Sequence, residues 1–417
     1  MTVAAGYGWK TRHIDVDTAF LNGELKEEVY VTMPPGFTTP SLRKPHLRLK
    51  KALYGLKQAA YEWNKKLKGF LNKEGFVQSQ SDQGLFIRNK GTHKMFIGVY
   101  VDDLLCISFD DAILIEFVKK MRCEFAIKDL GEVRNFLGLQ FENRSDGMFM
   151  NQRKYAKEIL RGAGMSECNT NSIPMSVSNA HSEEDAEPAD ETEYRGLIGN
   201  LLFLTNSRPD LNFAVSKLSR YCYNPRVAHL NMLKKVLRYL KGTRDEGILM
   251  PYGVKNGLSG FSDSDWAGDA ASRKSVSSIL VLWNETPIHW SSRSQKCIAK
   301  STTEAEYVAL SDTSSQVYWF RKLLDEMHLQ ENSNVTIFCD NMGAVYLSKF
   351  QVDHKRTRHI DVHYHYIRQL VSERVLTVKF CRSEQQKADV LTKPLPASGL
   401  KVAKAMLKLQ NSKRGEE

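Results

Sequence analysis

Apolar residues crowd into short runs at some points of the chain and alternate with acids at others, and the two patterns predict different elements. In "MFIGVYVDDLLCIS", Met95 to Val101 and Leu104 to Ile107 are too short for helices and rich in β-branched and aromatic residues. They predict two buried strands closed as a tight hairpin, with Asp102 and Asp103 at its tip. Nearer the start, "RHIDVDTAFLNG" alternates, so that Ile14 and Val16 share one face of a strand while Asp15 and Asp17 share the other. A helical period follows in "AAYEWNKKLKGFLNKEGF", whose polar positions are lysine-rich. Strand-like runs around this helix give residues 1–150 an α+β pattern.

The acidic stretch "SVSNAHSEEDAEPADETEY" breaks every period and predicts an exposed linker near 181–193. Tyr194 to Leu240 is helical, with Gly242 as the expected C-terminal stop, and 151–255 reads as a connecting region. From Asn256 to about residue 396 the order is strand, strand, strand, helix, strand, helix, helix, strand, helix, the last being "QQKADVLTK". Such an order predicts a mixed sheet covered by helices. Residues 397–417 read as a basic tail.

Composition narrows the class. A chain of 417 residues with 42% hydrophobic content can bury two or more cores. Lys and Arg exceed Asp and Glu by 59 to 48, a formal charge of +11 that favours a polyanionic partner. No apolar run is long enough to span a bilayer and the N-terminus lacks a secretory core, so no membrane partner is expected and the protein is expected to be intracellular. Seven cysteines without a C-x-x-C pair argue for a reducing compartment and against a disulfide framework.

The acids are the candidate chemistry. Two carboxylates about 4 Å apart repel by roughly 4 kcal/mol at an intermediate dielectric, so a half-buried Asp102–Asp103 pair calls for a cation or a raised pKa. If the strand carrying Asp15 and Asp17 lies beside the hairpin, three carboxylates converge in the hard oxygen environment that Mg²⁺ prefers. Further on, Asp263, Glu304, Glu306, Asp340 and Asp389 end or interrupt apolar runs. Ser301 fits a helix N-cap with Glu304 completing a capping box, which leaves Glu306 free.

These stretches, with "LKKALYGLKQAAYEW", "LGEVRNFLGLQF", "RPDLNFAVSKLSRY", "SDSDWAGD", "STTEAEYVAL", "HKRTRHIDVHYHYIR" and "KADVLTKPL", occur in an order that resembles the reverse transcriptase and ribonuclease H portion of Ty1/copia-type retrotransposon Pol polyproteins. The resemblance implies a reverse transcriptase palm without its N-terminal fingers over 1–150, then a connection, then a ribonuclease H-like mixed-sheet α/β domain over 256–396. It implies Asp15, rather than Asp17, with Asp102 and Asp103 as polymerase metal ligands, Phe20 against the 2′-hydroxyl of an incoming nucleotide, Gly55 beneath the template, and Leu137 and Gly138 in a primer grip. In the second domain it implies Asp263, Glu306, Asp340 and Asp389 as a ribonuclease H site. Two Mg²⁺ ions per site follow, with Mn²⁺ as a substitute, and the implied partners are RNA template, DNA primer, RNA–DNA hybrid and deoxynucleotides. The implied location is the cytoplasm, or a virus-like particle for an active element.

Other features bear on activity. Only fourteen residues precede Asp15, "LKQAAYEW" lacks the family's proline and arginine, and Ser278 stands where the family usually has glycine. A non-catalytic nucleic-acid-binding relic of the same polyprotein is therefore the alternative to an enzyme, and an unrelated basic α/β module the third option, in which the carboxylates do not converge. His359, His363 and His365 have spacings compatible with zinc. Lysines from Lys50 to Lys73 and the tail beyond Leu400 offer either phosphate contacts or a solvated face.

Overall fold

The computed structural model describes residues 1–37, 46–91, 93–176, 187–269, 272–329, 334–350 and 361–412. Two compact units emerge: Gly8–Phe136, and Met1–Tyr7 together with Leu137–Glu417. The first helix, α1 (Thr2–Tyr7), thus belongs to the larger unit.

The smaller unit runs β1 (Lys10–Val16), β2 (Tyr30–Thr32), β3 (His46–Arg48), α2 (Ala59–Lys73), β4 (Val77–Gln78), β5 (Leu85–Lys90), β6 (His93–Tyr100), β7 (Asp103–Ser108), α3 (Asp111–Glu124), β8 (Ile127–Gly131) and β9 (Asn135–Phe136). One sheet has the order β4-β5-β6-β7-β1-β8. The two-residue period of β1 is kept: Ile14 and Val16 enter a core with Trp63, Leu67, Leu71 and Phe117, which leaves Asp15 on the opposite face. Trp63, Leu67 and Leu71 recur at four-residue spacing, so α2 buries one stripe and turns lysines outward. Burying each leucine stabilises by about 1.5–3 kcal/mol. The helix α3 starts where the Asp110 carboxylate accepts from the Ala112 amide.

In the larger unit come β10 (Leu139–Asn143), β11 (Gly147–Asn151), α4 (Arg153–Gly162), α5 (Glu191–Leu204), α6 (Pro209–Ser219), α7 (Val227–Thr243) and β12 (Glu246–Pro251). They are followed by β13 (Leu258–Asp265), β14 (Val276–Trp283), β15 (Thr286–Ser294), α8 (Thr302–Glu326), β16 (Val335–Cys339), α9 (Met342–Lys349), α10 (Asp361–Ser372), β17 (Leu376–Phe380), α11 (Ala397–Met406) and β18 (Leu409–Asn411). The hairpin β10–β11, read from sequence with residues 1–150, pairs through β11 with β12, and β12 pairs with β18. The residues read as a basic tail thus supply a helix and an edge strand. The expected helix in "QQKADVLTK" is a single 3-10 turn, Asp389–Leu391. Gly242 is not a stop, because α7 continues to Thr243; a Cβ there would lie 3.3 Å from Thr170, so the glycine serves close packing.

A buried ionic cluster joins the start of α6 to the last turns of α7. Arg208, with 2% of its side chain exposed, donates from Nε and Nη2 to Asp210 at 2.9 and 2.6 Å, and from Nη1 to the Thr243 carbonyl at 2.7 Å. Tyr239 Oη donates to the same carboxylate at 2.7 Å.

The last sheet has the order β15-β14-β13-β16-β17. Its first three strands are antiparallel and β16 and β17 run parallel to β13, the mixed sheet expected. The long helix α8 lies close on β13 because Gly260 has no side chain; a Cβ there would sit 2.9 Å from Val317.

Candidate metal centre

Parallel pairing sets Ser262 of β13 beside Cys339 of β16, so Asp263 and Asp340 leave the carboxyl ends of neighbouring strands together. Two further elements converge on these ends. Near its start, α8 carries Glu306, and the 3-10 turn carries Asp389. One ligand atom from each of Asp263, Asp340 and Asp389 lies within 4.8 Å of the others, and the same holds for Glu306, Cys339 and Asp340. Among the described residues these are the only two such sets, and they share Asp340.

Neighbouring groups hold the carboxylates in place. Thr392 Oγ1 donates to Asp263 Oδ2, Ser383 Oγ donates to Asp340 Oδ2 at 3.1 Å, and the Ser264 amide donates to Glu306 Oε1 at 3.0 Å. Lys393 Nζ is 3.0 Å from Asp389 Oδ2, while buried Asp389 Oδ1 has no hydrogen-bond partner. Burial first, then the charge of Asp389, raises Asp263 to about 7. Burial, then the charges of Asp263 and Asp340, raises Glu306 to about 9. Burial also raises Asp389, against the pull of Lys393. Proximity without enough cation is the condition a divalent ion relieves. The hard oxygens of Asp263, Asp340 and Asp389 fit Mg²⁺ or Mn²⁺. In the other set burial pushes the Cys339 thiol well up, which leaves Glu306 and Asp340 as its oxygen donors.

Sequence reasoning found the four acids and missed Thr392, Lys393, Ser383 and Cys339. Thr392 and Lys393 follow Asp389 by three and four residues, a spacing that returns to one side of a helical turn. The N-cap at Ser301 is present, its hydroxyl accepting from the Glu304 amide at 3.2 Å, and Glu304 reaches back to the Lys300 amide at 2.9 Å. Ser278 is buried and donates to the Asp263 carbonyl at 3.2 Å, so the hydroxyl absent from a glycine supports the strand bearing the acid.

In the smaller unit Asp15 stands directly opposite Asp103 across β1 and β7. The tip is a two-residue turn: Tyr100 pairs with Asp103, Val101 is left-handed at φ 55°, and the Asp102 carbonyl accepts from the Val16 amide at 2.9 Å. Asp103 is engaged by His13 Nε2 at 2.7 Å, and Lys128 lies 3.5 Å from Asp15 while bonding Asp17. Asp102 is exposed, and these three acids do not bring three ligand atoms within 4.8 Å of one another. Phe20 packs against the core from its edge, 5.5 Å from the exposed Tyr54 ring. Gly55 is left-handed at φ +94°, as are Leu137 at 48° and Gly138 at +78° in the larger unit; a Cβ on Gly138 would lie 2.6 Å from Phe203. Lysines between Lys50 and Lys73 fall largely on the outer face of α2. Of the histidine cluster, His359 and the side chain of His363 lie outside the described residues, and His365 is exposed on α10.

A family model described as reverse transcriptase (RNA-dependent DNA polymerase) matches residues 1–177. The chain is 40% identical to the retrovirus-related Pol polyprotein from transposon RE2 of Arabidopsis thaliana, over 94% of this chain and 27% of that one. It is 34% identical to the transposon Ty5-1 protein of Saccharomyces cerevisiae, over 73% of this chain and 100% of that one. It spans 27–32% of the length of three plant Pol polyproteins it matches. A foamy viral protease-reverse transcriptase, solved in complex with an RNA/DNA hybrid, has a similar fold over 90% of this chain and 44% of that one, with a TM-score of 0.51 at 14% identity. No helix among the described residues is long and apolar enough to cross a membrane.

Proposed function

The chain belongs to the reverse transcriptase family of copia-type retrotransposon Pol polyproteins, and from that premise we propose that its larger unit hydrolyses the RNA strand of an RNA–DNA hybrid at Asp263, Glu306, Asp340 and Asp389. The observation that carries this reading is the pair of three-ligand sets sharing Asp340, an arrangement suited to two neighbouring divalent ions. Such ions, when bound, supply an acidified water and neutralise charge on the phosphate. The chain's own part is to hold oxygens: Asp340 toward both positions, Asp263 and Asp389 toward one, Glu306 toward the other. Thr392 fixes the rotamer of Asp263, and Lys393 limits repulsion around Asp389. Water adds to phosphorus as the bond to the 3′-oxygen breaks, leaving a 3′-hydroxyl and a 5′-phosphate. Hybrid shape and 2′-hydroxyls, rather than base edges, would select the substrate.

For the smaller unit the proposal is a palm that binds template, primer and deoxynucleotide around Asp15, Asp102 and Asp103. A second reading, binding without polymerisation, is favoured there by one observation: His13 and Lys128 already engage Asp103 and Asp15.

The test is Mg²⁺-dependent release of fragments from a hybrid labelled in its RNA strand, comparing the native chain with Asp340→Asn. Cleavage by the native chain and its loss in a variant that still binds hybrid is the expected result. Equal cleavage by both, or none by a folded, hybrid-binding native chain, overturns the proposal for the larger unit.

A further inference from the structure

The parallel pair β13 and β16 has a second end. Opposite the carboxylates, the first halves of these strands line a cavity of about 530 Å³, together with the end of β14, the loop before β13, and Tyr7 of α1. This volume lies within the range of small-molecule sites. Four aromatic residues are among those that line it: Phe261 and Phe338 stack with centroids 4.9 Å apart at 25°, and Trp283 and Tyr7 also border the space. Each of these strand phenylalanines precedes a metal-centre aspartate by two residues, so cavity and centre lie on one face of the sheet.

Two lysines give the cavity its charge. Lys387 Nζ is 5.4 Å from the centroid of Phe261 and Lys255 Nζ is 5.2 Å from that of Tyr7, cation–π distances that hold both chains at the rim. Among the described residues neither lysine forms an ion pair. The one acid in the lining, Glu285, is taken up by Asn256 Nδ2 at 2.7 Å and Lys408 Nζ at 3.3 Å. Ser259 and Thr336 add hydroxyls among the rings.

We propose that this cavity binds a nucleoside 5′-phosphate, its base among the aromatic residues and its phosphate between Lys255 and Lys387. The site is separate from the carboxylate centre and from the palm, and does not depend on either having catalytic activity.

The experiment is calorimetric titration of AMP into the full chain in EDTA, with adenosine and inorganic phosphate titrated separately. AMP is expected to saturate one site, more tightly than either half alone. Lys387→Met should weaken AMP at least tenfold and leave adenosine unchanged, while Asp340→Asn and Asp103→Asn should bind AMP as the native chain does. As a readout independent of any substitution, photolysis with 8-azido-AMP should label peptides bearing Tyr7, Trp283 or Phe338. Competition by a 5′-phosphorylated trinucleotide would identify a strand end as the source of the ligand, and no competition a free nucleotide; both support the site. Failure to saturate, loss of binding in Asp103→Asn with retention in Lys387→Met, or phosphate binding as tightly as AMP overturns it.

Discussion

Trp63 and Val101, 38 positions apart, are joined by a hydrogen bond in which the indole Nε1 donates to the valine carbonyl at 2.7 Å. The acceptor is the residue whose backbone is left-handed, a conformation that costs a β-branched side chain about 1–3 kcal/mol. The bond ties the aspartate turn to the buried face of α2, and so fixes where the two acids stand.

Trp63→Phe keeps most of the buried ring and removes the donor. A loss of about 1–2 kcal/mol is expected from the unmade bond, concentrated in the β6–β7 hairpin. Hydrogen exchange of peptides covering 95–108 should rise tenfold or more while α8 stays as protected as before. Unchanged exchange in the hairpin would mean that the turn is held without the indole.

The metal centre predicts a pH dependence. Glu306 at about 9 and Asp263 at about 7 keep protons that the unfolded chain, titrating near 4, has released. Unfolding therefore releases protons between about pH 5 and pH 9, and the stability these acids contribute is present at the acidic end and lost as pH rises through both values. In EDTA the melting temperature of the larger unit should fall across this window. Mg²⁺ displaces the same protons and should flatten the fall, and Glu306→Gln should flatten it without metal. A flat profile in EDTA for the native chain would contradict the buried, mutually repelling acids.

Thr392→Val is nearly isosteric and deletes the donor to Asp263. Residues that orient metal ligands change affinity by about 10–100-fold, so Mg²⁺ titration followed by melting temperature should shift to higher concentration by that factor, with little change in EDTA beyond a further rise of the Asp263 pKa. An unshifted titration would make the hydroxyl a packing group only.

The Arg208 cluster is the clearest stability test outside the centre. Arg208→Met leaves Asp210 buried without its partner, and a loss of about 3–5 kcal/mol is expected. Adding Asp210→Leu should recover a large part of it, since an apolar pair carries no desolvation penalty. Urea denaturation followed by Trp290 and Trp283 fluorescence in the larger unit reads both. A double variant no better than the single one would show that shape, not charge, sets the loss.

Much of this architecture is legible in residue patterns, for reasons that differ by element. Alternation in β1 put Asp15 opposite the core because a strand has only two faces. The strand and helix order from Asn256 to Phe380 followed from runs whose lengths admit one reading each. What could not be read were relations between distant segments: that the hairpin Leu139–Asn151 joins β12 and β18, and that Thr392 meets Asp263 across 129 positions. Nor did periodicity distinguish Asp15 from Asp17, which differ through the partner strand: one faces Asp103, while the other lies past the end of β1 and bonds Lys128.

The division at Phe136 has a temporal side. Gly8–Phe136 is a continuous stretch with its own core, so it can become compact as soon as it leaves the ribosome. The seven residues before it cannot: α1 packs on β12, and the Tyr7 hydroxyl donates to the Leu329 carbonyl at 3.3 Å, 322 positions later. Residues 1–7 therefore find their place only after chain more than three hundred positions later is made. Contacts that span so much chain form slowly, and until they form, the edge of β12 awaiting β18 stands exposed. The larger unit is where a stalled or prematurely terminated chain would be caught by chaperones or aggregate.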